Sequence, residues 1–147
     1  MDITWKYKID LTDESVFSEI EKERGIVIPD EFKKFILEAN AATPSKYNYM
    51  LGTTEKVVGA ILSFNRNDVD VDTVYTALGA IEDKNLLPFA IDPFGNYLCY
   101  DLKESAVVFW NHESDVVAST KKSIEEFIDS LYWVIFIFFS YKIGKSV

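Results

Sequence analysis

A chain of 147 residues, 48% apolar and 27% charged, carries enough apolar material for one globular core and lacks the polar bias of a disordered segment. Its net charge of −9 makes free nucleic acid and anionic membrane surfaces poor partners, because the phosphate attraction that drives such binding becomes repulsion. A basic protein partner suits it better.

Cys99 is the only cysteine, so no intramolecular disulfide can form, and its place in a strand-like run predicts a buried thiol. The opening Met1-Asp2-Ile3-Thr4-Trp5-Lys6 has no basic segment leading into an apolar run, so no signal peptide is expected and a cytoplasmic setting is. Aromatics make up 15% of the chain, and any that are exposed favour a partner interface.

Residues 3–9 alternate imperfectly. A first helix is expected from Leu11 and Thr12, with Thr12 as N-cap, Asp13 and Glu14 complementing the dipole, and Leu11 stapled onto Val16. Val16, Phe17 and Ile20 form its apolar stripe, and Gly25 ends it. Pro29 then fits the first position of a second helix, followed by Asp30 and Glu31, with Phe32, Phe35, Ile36 and Ala39 at helical spacing. Asn40 and Pro44 close that helix.

Residues 47–51 and 57–64 read as short strands, broken by Gly52-Thr53-Thr54 and marked internally by Gly59. Asp68-Val69-Asp70-Val71-Asp72 invites a calcium-loop reading. Counting from Asp68, however, the sixth and twelfth positions are Thr73 and Gly79, where the loop needs glycine and glutamate. The preferred reading is that Asp70 or Asp72 caps a helix carrying Val74, Tyr75, Leu78 and Ile81.

Residues 86–112 organise the rest. Three runs rich in β-branched and aromatic residues, Leu86 to Ile91, Tyr97 to Leu102 and Ala106 to His112, alternate with turn formers and predict an antiparallel meander. In the first turn Asp92 accepts backbone hydrogen bonds, Pro93 presets φ, and Gly95 supplies a permissive exit. A last helix follows, with Ser123 and Glu126 at capping-box spacing and Ile124, Phe127, Ile128 and Leu131 as its buried stripe. Residues 131–139 are continuously apolar yet too short for a membrane span of about 20 residues. They predict an extra strand or a buried helix extension, with a dimer or partner contact as the alternative.

Chemistry-bearing constellations are thin. His112 is the lone histidine, so a Cys/His metal site cannot be assembled, and it reads as a hydrogen-bonding group at a strand end. There is no nucleophile elbow around a serine and no glycine-rich phosphate loop, so neither a catalytic set nor a cofactor is expected. Glu82-Asp83 and Glu125-Glu126 read as solvated faces.

Ile28-Pro29-Asp30-Glu31-Phe32-Lys33-Lys34-Phe35-Ile36 opening the second helix resembles the SUKH superfamily, the Smi/Knr-like domain. So do the block from Leu87 to Leu102, with its apolar-Pro strand and acidic turn with glycine, and Ser123-Ile124-Glu125-Glu126-Phe127-Ile128. The resemblance runs over about residues 11–131 of an expected single domain, 1–147, and is nearest to the bacterial YobK-like antitoxins; the aromatic tail, residues 132–147, is outside it. Where many members have Asn followed by two glycines, this chain has Asn40-Ala41-Ala42. That substitution predicts a different turn, or one avoiding positive φ at those two positions.

The resemblance implies an α+β fold, an antiparallel sheet flanked by helices. It also implies an immunity protein that binds and neutralises a cognate secreted polymorphic toxin, a basic nuclease domain, by stoichiometric contact. Candidate contact residues are Asp92, Phe94, Tyr97, Asp101, Trp110 and Glu113, acids and aromatics near the meander. A second copy of the chain, meeting through the tail, is a further candidate partner. A regulatory adaptor and a small enzyme are the alternative functions.

Overall fold

The computed structural model describes residues 3–133. In chain order they form β1 (Trp5–Lys6), α1 (Ser15–Arg24), α2 (Asp30–Ala39), β2 (Thr43–Pro44), β3 (Asn48–Leu51), β4 (Thr54–Val57), β5 (Ala60–Ile61), α3 (Val74–Ala80), β6 (Leu86–Ile91), β7 (Tyr97–Asp101), β8 (Ala106–Trp110), β9 (Val117–Ser119) and α4 (Ile124–Asp129). The fold is α+β, with antiparallel pairing in every named sheet.

The expected meander is the middle of a larger sheet of order β5-β6-β7-β8-β9. The two edge strands are short, which limits the unpaired backbone they present. Gly59 lets β5 reach β6. Its N–H donates to the Ile91 carbonyl at 2.9 Å, and a Cβ there would lie 2.6 Å from that same oxygen. Residues 57–64 therefore do not run as one strand: Val57 ends β4, which hairpins with β3 through Gly52-Thr53, and Thr54 is already paired with Leu51.

Phe32 of α2 is the pivot of the core. Its ring meets Phe64, Phe89 and Tyr100 at centroid distances of 5.9, 6.2 and 6.2 Å, and it is wholly buried. Burying a side chain of this size contributes roughly 2–3 kcal/mol. Phe17 of α1 also packs on Phe64, so both helices share one aromatic cluster. The helical stripes read from the sequence, Val16-Phe17-Ile20, Phe32-Phe35-Ile36-Ala39 and Ile124-Phe127-Ile128-Leu131, are all buried.

Several caps differ from expectation. Thr12 does not cap α1: its N–H and hydroxyl both donate to Asn65 Oδ1, tying the N-terminal segment to the chain after β5. Asp13 takes over by accepting from the Ser15 N–H at 2.9 Å. Neither Asp70 nor Asp72 caps α3. Thr73 precedes that helix in extended backbone and makes no side-chain cap. Asp68 of the same acidic run instead accepts from Ser63 Oγ at 2.6 Å. At the other end of α3, Arg24 reaches across from α1 and donates to the carbonyls of Leu78, Ile81 and Asp83. A cation at a helix C-terminus is favoured by the dipole and supplies donors to its orphan carbonyls. Pro29 sits one place earlier than expected, as the N-cap of α2. The capping box at Ser123 and Glu126 is present in full.

The turn after α2 overturns one expectation. Ala41 has φ 63°, the left-handed region, although it carries a Cβ. Asn40 explains why it is held there. Its buried side chain accepts from the Phe64 N–H at 2.7 Å and donates to the Ile9 carbonyl at 2.9 Å, anchoring the entry of the turn, while Ala42 on the far side donates to the Ala39 carbonyl and accepts from the Ile61 N–H. Asn40 is thus a core amide as well as a helix end.

Beyond α4 the chain runs back along β3. Tyr132 makes an isolated antiparallel bridge with Asn48, and Trp133 Nε1 donates to the Ser45 carbonyl. Most of the apolar tail, from residue 134 on, lies outside the described residues.

Candidate partner-binding surface

Two neighbouring hairpin turns form one end of the large sheet. The first, Asp92-Pro93-Phe94-Gly95-Asn96, joins β6 to β7. Asp92 Oδ1 accepts from the N–H groups of Phe94 at 2.8 Å and Asn96 at 2.9 Å, while the Gly95 N–H donates to the Asp92 carbonyl. Gly95 has φ 86°, the exit expected of such a loop. The second turn joins β8 to β9. Asn111 Oδ1 accepts from the N–H groups of Glu113 and Ser114, and Asp115 leaves the turn with φ 60°. Phe94 and Glu113 hold equivalent places, each two residues after the turn-forming side chain.

Asn96 locks the two turns together. Its Nδ2 donates to Asp92 Oδ2 at 3.1 Å, and its Oδ1 accepts from the His112 backbone N–H at 3.0 Å. That orientation makes Oδ1 an acceptor for the imidazole too, so His112 Nδ1, at 2.7 Å, carries the proton. Nε2 is left facing Glu113 Oε1 at 3.8 Å, and a Cβ on Gly95 would stand 3.7 Å from the ring. Sequence reasoning placed His112 at a strand end but missed Asn96, whose role depends on the strand register.

The six sequence candidates separate into four groups. Phe94 is 74% exposed and Glu113 also faces solvent, so both are presented outward. Tyr97 and Trp110 pair across β7 and β8 with their rings stacked at 5.8 Å, but they are only 8% and 4% exposed and form the floor beneath the turns. Trp110 Nε1 donates to Asp115, and burial pushes the Tyr97 phenol up, with the Asp72 carboxylate adding to the shift. Asp92 is committed to the turn backbone. Asp101 is not brought into this surface at all. It lies four residues along β7 from Tyr97, about 13 Å away at ordinary strand rise, where it builds the β7–β8 turn by accepting from Lys103 and Glu104.

Exposed Val116 and Val117 sit beside the second turn and were not singled out from the sequence. Residues 91–97 and 110–117 together hold three acids, Asp92, Glu113 and Asp115, and no lysine or arginine, so these two turns carry net negative charge, with Lys56 from β4 nearby over the Phe109 ring. Elsewhere a groove of about 400 Å³ has Trp5, Phe35 and Ile128 on its floor and Glu31, Glu38 and Glu125 on its rim. Another hollow of about 430 Å³ is crossed by the Arg66–Glu19 ion pair at 2.6 Å.

A family model described as SMI1-KNR4 cell-wall, SUKH_6, matches residues 14–128. The chain belongs to this SUKH family. Comparison with curated proteins found no match. The SUKH match spans α1 through most of α4 and contains both turns of the surface, Asn96 and His112 included. Among the described residues of this SUKH domain, no helix is long and apolar enough to cross a membrane, and no three His, Cys, Asp or Glu side chains gather as metal ligands.

Proposed function

We propose that this SUKH domain is a non-enzymatic immunity protein of the cytoplasm. It binds a cognate secreted toxin, a basic nuclease domain, and blocks it one to one. The observation that carries the reading is Phe94, an exposed aromatic on a turn whose backbone is already fixed by hydrogen bonds. An aromatic anchor ordered before binding loses little entropy on contact, and such residues dominate protein interfaces. The net charge of −9 supports a basic partner by raising the rate of encounter.

The test is co-expression with each candidate toxin nuclease domain encoded near this chain's gene. Cells making both proteins should grow, and growth arrest despite soluble expression of this chain would sink the proposal.

A second reading, a regulatory adaptor, draws on the family description, which names the cell wall. It predicts association with signalling proteins and no protection in that assay.

A further inference from the structure

We infer that the end of the sheet built by the two locked turns is the toxin-binding surface, and that its partner offers an apolar pocket for the Phe94 ring flanked by lysine or arginine. This rests on the immunity reading above, and it adds the surface, the chemistry of the pocket and a positioning role for Asn96.

Three observations converge on this end. First, the apolar groups are contiguous by register. Tyr97 pairs with Trp110 and Trp110 with Val117, so the buried stack runs out across the sheet to exposed Val117, and Phe94 lies in the turn leading into Tyr97. Second, the three carboxylates differ in what they can offer. Asp92 accepts from the Phe94 N–H, the Asn96 N–H and Asn96 Nδ2 and is committed to the turn, while Asp115 accepts from the Trp110 indole on one oxygen and adds to the negative charge. Glu113 has an 83% exposed side chain and is the acid with room for a partner cation. Third, nothing in these turns needs to reorganise on contact. Asn96 bridges Asp92 and His112, so the Phe94 and Glu113 turns are held in one fixed relation.

The division of labour follows from the physics. A desolvated ring in a pocket governs dissociation, whereas an exposed carboxylate governs encounter and is screened by salt.

The experiment measures association and dissociation rates for a toxin domain against which this chain protects in the co-expression assay, on immobilised full-length chain, at low and high salt. Phe94→Ala should speed dissociation by roughly thirtyfold or more, Phe94→Tyr should restore most of the affinity, and neither should move the unfolding midpoint, because the ring is exposed. Glu113→Lys should slow association severalfold and flatten its salt dependence. Asn96→Ala should weaken binding with the Phe94 ring intact, and Asn96→Asp should recover only part of it, since a carboxylate cannot donate to Asp92. Glu104→Ala, at the opposite end of the sheet, is the control and should bind as the parent does. Parent-like rates for Phe94→Ala and Glu113→Lys would overturn this surface while leaving the immunity reading standing. A parent chain that neither binds nor protects overturns both.

Discussion

One oxygen of Asn96 holds His112 twice, accepting from its backbone N–H at 3.0 Å and from its Nδ1 at 2.7 Å. The residues are sixteen apart in sequence and belong to different turns, so this contact converts two hairpin loops into one unit. Asn96→Ala would leave both His112 donors and the Asp92 carboxylate without these partners. Losing hydrogen bonds at part-buried groups that water can still reach costs on the order of 1 kcal/mol. Denaturant unfolding should show a loss of that order, together with faster amide exchange at Phe94 and Glu113. Unchanged exchange at both residues would mean the turns hold their shape independently.

Ala41 tests how well the turn after α2 is determined. An L-residue in the left-handed region is strained by about 1–2 kcal/mol, and glycine removes that strain while adding roughly 0.5–1 kcal/mol of chain entropy to lose. Ala41→Gly should therefore raise the denaturation midpoint slightly, by on the order of 0.5 kcal/mol. Ala41→Val should lower it, since a β-branched residue fits this φ worst. If valine proved harmless, Asn40 would not be holding the backbone at positive φ.

The capping box of α4 gives a pH dependence of known sign. The backbone and side-chain hydrogen bonds with Ser123 hold the Glu126 carboxyl below its ordinary range. A lowered folded-state value means that this stabilisation is present above the unfolded carboxyl's titration and fades as pH falls through the folded one. Glu126→Ala removes the carboxyl that accepts the Ser123 N–H and should destabilise the fold at neutral pH. The difference from the parent should shrink under acid conditions, as read from unfolding midpoints across the carboxylate range. A gap that widened in acid would contradict the assignment.

Cys99 is wholly buried in β7, and burial pushes its thiol well up from the ordinary value. Because the thiolate is the reactive form, native protein should resist thiol reagents at mildly alkaline pH. Modification should follow the global unfolding curve when denaturant is added. Rapid labelling of the folded chain would show that β7 opens locally.

The meander was legible in the sequence because each strand run is bounded by residues that can only punctuate, Asp92-Pro93 and Gly95 above all. Helix stripes were legible for the same reason that they are buried: the spacing of Phe32, Phe35, Ile36 and Ala39 leaves one face apolar. The edge strands β5 and β9 were not, since runs of two and three residues carry no periodicity. Thr12 and the aspartates before α3 misled because capping residues are interchangeable on paper. In the fold Asn65 competes for Thr12, and Ser63 and Asn65 compete for Asp68. Asn96 was not picked out, and Asp101 was named beside residues that lie at the other end of β7, for one shared reason. Which turns end up side by side is decided by strand register, and adjacency in sequence does not encode it.

One-to-one blockade is tested most directly by a stoichiometric titration. A purified toxin domain against which this chain protects cells is held at a concentration far above the complex's dissociation constant, and its nuclease activity is followed as this SUKH domain is added. Immunity by direct binding predicts a linear fall that reaches baseline at one chain per toxin, with a stable complex of that composition in sedimentation. Undiminished activity at a large molar excess of the folded chain would contradict it.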